Sequence, residues 1–264
     1  MRILIFAIVI FIAIYILLCA FLYFKQDALL YFPSRNEEVL AHIQNNKLIN
    51  NFIVKTEEGE TIGRSTGSGD CMLFYLGGNA ENTDYHFVQE RTWGVNCIFA
   101  TLNYRGYGAS TGKANETNMH EDSVHLFENM YDRYNPKTVI IVGRSLGTNP
   151  AIYLSLMKKD IVNKLVLITP YDSMTSVAKG HYPIFPVSWL IKDSFNSAEL
   201  VKILPTETMI LQASNDAVIP AIHTEKLVDS FGGKKPQVEI IKGTDHNSIT
   251  ESPLFIEKIG EFLK

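Results

Sequence analysis

Hydrophobic positions fall into two regimes along this chain. From Ile3 to Phe24 they run almost unbroken, and no charged residue intervenes. A helix of about 20 such residues crosses a bilayer, so residues 1–25 are predicted to be a membrane anchor. Arg2 and Lys25 bracket the run, and Tyr15, Tyr23 and Phe24 suit the membrane interfaces. A cleaved signal peptide has a shorter apolar core and ends on small residues; here no such site precedes Lys25. A lipoprotein reading of Cys19 meets a bulky Leu18 where a small residue belongs. The flanking positive charges are nearly balanced, so they orient the helix poorly. A short anchor before a large C-terminal domain favours the non-cytoplasmic side.

Residues 26–49 read as a juxtamembrane linker with a short polar helix, and 50–264 as one domain. Within it, short apolar runs alternate with segments of helical spacing. Phe52-Ile-Val and Thr61-Ile read as a strand pair around Glu58-Gly59. "CMLFYLG" (71–77) reads as a fully buried strand and "TVIIVG" (138–143) as the buried central strand, with "CIFATLNY" (97–104), "KLVLITP" (164–170), "TMILQAS" (208–214) and "QVEIIKG" (237–243) as further strands. Helices are expected over about 84–92, 121–134, after residue 147, near 224–231 and over 254–263. Continuous apolar strands separated by helices give a mostly parallel central sheet with helices on both faces, an α/β domain. Residues 175–203, with "HYPIFPVSWLIKDSF", interrupt the alternation and read as a cap insert.

Composition changes this picture little. The chain has 264 residues and a net charge of −4, with no basic stripe, so nucleic acid is not an expected partner. Of its three cysteines, Cys19 lies in the anchor, while Cys71 and Cys97 stand at the same level of two strands. Flat neighbouring strands hold Cβ atoms farther apart than a disulfide wants, so two buried free thiols are expected.

Active sites of parallel sheets form past the carboxyl ends of the strands. Past the central strand stands Ser145, between Gly143 and Gly147 in "GRSLG"; past the next-to-last, Asp216; past the last, His246. A serine hydroxyl needs a base to become a nucleophile, and the order Ser, Asp, His on strand-to-loop positions is that of a nucleophile-elbow triad. The two glycines permit a sharp turn and close strand–helix approach. Asp172 and Asp245 compete with Asp216 as the acid that orients His246. The Leu146 N–H, just after the serine, and the Asn79 N–H, in "GGNAEN", are the candidate oxyanion donors. This chemistry needs no metal or organic cofactor.

With these residues quoted, the chain resembles the α/β-hydrolase superfamily, and within it the membrane-anchored BEM46-like group with its ABHD13 and ABHD17 types. "LLYFPSR", "GGNAEN", "NYRGYGASTG", "GRSLG", "NDAVIP" and "DHN" carry the resemblance across nearly all of the soluble part. It implies an esterase, lipase or thioesterase with Ser145, Asp216 and His246 as triad and Asn79 and Leu146 as oxyanion hole. The family usually has His-Gly-Asn-Ala where this chain has Gly77-Gly78-Asn79-Ala80. The expected substrate is an acyl ester or thioester, lipids included, met at the membrane bilayer. A peptidase or amidase of the same fold, and a non-catalytic binding protein, are the alternatives.

Overall fold

The computed structural model describes residues 1–88 and 96–263. It opens with α1 (Arg2–Leu30), long and apolar enough to cross a membrane. No residue of α1 is buried by the rest of the protein, so its aliphatic surface must find cover elsewhere. After it come α2 (Glu37–Asn45), β1 (Asn50–Thr56), β2 (Gly59–Thr66), β3 (Cys71–Leu76), α3 (Tyr85–Val88), β4 (Ile98–Asn103) and α4 (Glu116–Tyr134). Then follow β5 (Thr138–Arg144), α5 (Thr148–Met157), β6 (Lys164–Ile168), α6 (Met174–His181), α7 (Val187–Leu190) and α8 (Ser197–Leu200). The chain closes with β7 (Glu207–Ala213), α9 (Ala221–Ser230), β8 (Gln237–Ile241) and α10 (Pro253–Leu263).

The strands form one sheet in the order β1-β2-β4-β3-β5-β6-β7-β8. The β1–β2 and β2–β4 pairs are antiparallel and the remainder parallel. Side chains alternate across a strand, and β3 shows the result. Met72, Phe74 and Leu76 face a layer built from α4, α5 and α9; Leu73 and Tyr75 face a layer built from α2, α3 and α10. The segment between anchor and sheet is part of this packing. Asn36 caps α2 by accepting from the N–H groups of Glu38 and Val39, and Val39 and Ile43 enter the second layer.

Three expectations change. The helix expected from residue 121 starts at Glu116, because Asn115 and Asn118 close a reciprocal capping box ahead of it. The helix expected over 84–92 is seen as Tyr85–Val88; the rest of that stretch lies outside the described residues. The larger correction concerns the thiols: Cys71 and Cys97 form a disulfide, with Cα atoms 4.6 Å apart. Cys97 lies one residue before β4 begins and Cys71 opens β3. The backbone at the mouth of the strand pair is not held to the flat pleat on which the free-thiol expectation rested, and the Cα separation falls in the range a disulfide accepts, about 4.4–6.8 Å.

Candidate active site

β5 runs straight into a sharp turn. Ser145 adopts φ +49°, a left-handed conformation that L-residues other than Gly, Asn and Asp rarely hold. A buried, strained serine at a strand end persists only where its surroundings fix it, and the two glycines explain how. A Cβ on Gly147 would lie 2.3 Å from the Leu76 carbonyl oxygen, and one on Gly143 would lie 2.6 Å from the Ala151 Cβ. Both positions are places where α5 crosses the sheet too closely for any side chain.

The loops after β7 and β8 meet this turn. His246 Nε2 lies 2.9 Å from Ser145 Oγ, and His246 Nδ1 lies 2.7 Å from Asp216 Oδ2. In that geometry the serine hydroxyl donates to one ring nitrogen while the other donates to the carboxylate. Ser145 and His246 are buried, and the Asp216 carboxylate is 3% exposed. The second oxygen of Asp216 accepts from the N–H groups of Val218 and Ile219, which fixes its orientation.

The competing acids are engaged elsewhere. Asp172 Oδ1 pairs with His223 Nδ1 at 2.7 Å, clamping the start of the cap to α9. Asp245 accepts from the N–H groups of Asn247 and Ser248, which hold its carboxyl below the usual range.

Asn79 follows β3, and Leu146 follows the serine within its one-turn helix. The Asn79 side chain is fastened at both ends. Its Nδ2 donates to the Leu30 carbonyl at 2.7 Å, and its Oδ1 accepts from the Tyr107 hydroxyl at 2.7 Å and from the Phe32 N–H at 3.0 Å. Burial pushes the Tyr107 hydroxyl up to about 12, so it remains a donor at neutral pH.

Sequence reasoning missed Glu81 and Arg144. Glu81 Oε2 accepts from the Gly78 N–H at 2.7 Å and pairs with the Arg144 guanidinium at 3.2 Å, while Oε1 faces His86 at 2.9 Å. Burial alone would raise the Glu81 carboxyl; His86, Arg144 and the Gly78 N–H outweigh it and hold the carboxyl well below the usual range. Arg144 also reaches the His246 carbonyl at 3.3 Å. One ion pair thus ties the "GGNAEN" loop, the elbow and the histidine loop together. The signal was its position: Glu81 and Arg144 stand within two quoted motifs.

Two cavities adjoin these loops. A polar one of about 310 Å³ touches Asn79, Glu81, Arg144 and Asn247; an apolar one of about 540 Å³ lies between α1 and the cap.

Known proteins agree with this architecture. The family profile described as alpha/beta hydrolase fold matches residues 97–190. The "Uncharacterized protein Rv2307c" of Mycobacterium tuberculosis (strain ATCC 25618 / H37Rv) is 25% identical, over 92% of this chain and 89% of its own. "Lysophosphatidylserine lipase ABHD12" of Danio rerio is 29% identical, over 80% of this chain and 62% of its own length. Among solved structures, the Pyrococcus furiosus esterase Pf2001 superposes with a TM-score of 0.65 at 14% identity, covering 89% of this chain and 98% of that one. The chain thus carries an alpha/beta-hydrolase fold, with the family match confined to residues 97–190.

Proposed function

We propose that the protein is a membrane-anchored serine hydrolase that cleaves carboxylic acyl esters or thioesters. The observation that carries this reading is the continuous hydrogen-bonded line from Ser145 through His246 to Asp216, with the serine held on a left-handed turn. Ser145 Oγ attacks the acyl carbon while His246 takes its proton, and Asp216 stabilises the charged ring. The N–H groups of Leu146 and Asn79 receive the developing oxyanion. His246 then protonates the leaving alcohol or thiol and next activates the water that releases the acid. The polar cavity beside Arg144 suits the leaving group, and the apolar one suits the acyl chain. The Danio rerio relative, a lysophosphatidylserine lipase by name, supports including lipid esters.

The uncovered apolar surface of α1 supports anchoring in a membrane. The Cys71–Cys97 disulfide supports placing the domain on the oxidising, non-cytoplasmic side.

The deciding experiment is fluorophosphonate labelling of the protein in membranes, wild type beside Ser145→Ala and Asp216→Asn. Labelling of wild type, its loss in Ser145→Ala and its slowing in Asp216→Asn are expected. A folded wild-type protein that stays unlabelled overturns the enzyme reading in favour of a binding module.

A further inference from the structure

The cap does not stop at the end of the anchor; it runs alongside it. The Tyr15 hydroxyl donates to the Ile184 carbonyl at 2.8 Å, and the Tyr15 ring stacks on Phe185 with centroids 5.8 Å apart. Gln26 Nε2 donates to the Leu190 carbonyl at 3.0 Å while its Oε1 accepts from the Lys192 N–H at 2.8 Å. The Lys192 ammonium stands 4.8 Å from the Tyr23 ring centroid.

These contacts set a depth, and they put Tyr15 inside the span rather than at the interface expected for it. Tyr15 stands nine residues before Phe24, the end of the uncharged run. At a rise of about 1.5 Å per residue that is roughly 13 Å along the axis. If α1 spans the bilayer, Ile184 and Phe185 lie in its hydrocarbon.

At such a depth irregular backbone is tolerated only where protein covers it, and α1 covers one side of the cap through the Tyr15 contacts. Pro183 and Pro186 carry no N–H. The N–H groups of Tyr182, Phe185 and Val187 bond within the cap, and Tyr15 takes the Ile184 carbonyl. Its exposed side chains include the apolar Ile184, 72% exposed, and Trp189, 86%, beside the polar Lys179, His181 and Ser188. In water, that surface would be costly to expose.

Between helix and cap lies the 540 Å³ cavity, within the ~300–1,000 Å³ usual for small-molecule sites. Leu22, Leu29 and Leu30 of α1 form one wall, and Val177, Phe185 and Leu190 form the other. Phe32 and Val218 complete it, and both are bonded to the candidate site, Phe32 to Asn79 and Val218 to Asp216. The cavity therefore runs from α1 to two segments whose backbone is hydrogen-bonded to Asn79 and Asp216.

We propose that α1 is a wall of the substrate site, and that one acyl chain of a membrane lipid passes sideways from the leaflet, between α1 and the inserted cap, to reach Ser145. The inference rests on the serine-hydrolase reading for the last step, and its test separates the two. Full-length protein in phosphatidylcholine vesicles is treated with two fluorophosphonates, one carrying an ethyl group and one a hexadecyl chain. Leu22→Trp and Leu29→Trp should lower the ratio of hexadecyl to ethyl labelling rates at least tenfold. Leu17→Trp, on lipid-facing α1 surface outside the cavity, should keep the wild-type ratio. Unchanged ratios in both cavity variants overturn the proposal. If neither probe reacts with wild type, the hydrolase reading fails, and insertion is judged by fluorescence. The part of the emission lost in Trp189→Phe should be quenched by lipids brominated on their acyl chains. Quenching by aqueous iodide and not by bromolipid overturns the inserted cap.

Discussion

Asn79 holds the end of α1: its Nδ2 donates to the Leu30 carbonyl at 2.7 Å, while its Oδ1 takes the Phe32 N–H. The residue proposed to offer a backbone donor to the oxyanion is thus tied, through its side chain, to α1. Asn79→Ala leaves the backbone N–H and removes the tethers. Each hydrogen bond lost is worth about 1 kcal/mol, and a loosened donor stabilises the transition state less well. Ester hydrolysis should fall about tenfold in kcat, measured on protein whose melting temperature is recorded alongside. Unchanged kcat would remove Asn79 from the site.

The two buried His–Asp pairs should separate by substitution. Asp216→Asn disturbs the ring that faces Ser145 and should lower kcat by about 10³–10⁴. Asp172→Asn weakens the clamp to His223 and should act on stability, by about 1–3 kcal/mol, with a much smaller effect on turnover. Equal kcat losses in both would reject Asp216 as the orienting acid.

Reduction should loosen the domain without entering the site. The disulfide joins residues 26 apart in sequence, and a loop of that length is worth about 3 kcal/mol. It sits where β3 and β4 start, whereas Ser145, Asp216 and His246, the candidate triad, sit past strand ends. Cys71→Ser/Cys97→Ser should melt several degrees lower yet label with fluorophosphonate at the wild-type rate at 25 °C.

Glu81 predicts a pH dependence of stability. Its carboxyl is held down in the folded state by His86, Arg144 and the Gly78 N–H against the opposing effect of burial. The folded protein therefore keeps Glu81 ionised where the unfolded chain takes up a proton. That stabilisation is complete above the unfolded carboxyl value, about 4.3, and is lost as pH falls from there towards the depressed folded value. Glu81→Gln should flatten the melting temperature profile below about pH 4.5. A variant profile parallel to wild type would contradict the assignment.

The middle of the sheet could be read from the sequence because β3, β5 and β6 are continuous apolar runs ended by glycine or a polar turn, as in "TVIIVG". The candidate triad could be read because its three residues stand at strand exits. The disulfide could not, since the free-thiol expectation assumed regular pleat up to Cys97, and β4 begins only at Ile98. The start of α4 was missed because the Asn115–Asn118 box has no apolar periodicity to announce it. The role of α1 was hidden more deeply. Its apolar pattern reports only that it avoids water; the bonds from Tyr15 and Gln26 to the cap join positions more than 160 residues apart.

With α1 in a bilayer as proposed, the Tyr15–Ile184 bond also makes that bilayer a mechanical partner. A helix longer than the local hydrocarbon thickness tilts to fit it. Because the cap hangs from the middle of α1 while Leu30 is pinned to Asn79, tilt cannot change without shifting one wall of the cavity against the other. Lipid chain length, varied in vesicles with headgroup held constant, then becomes a control on access to Ser145.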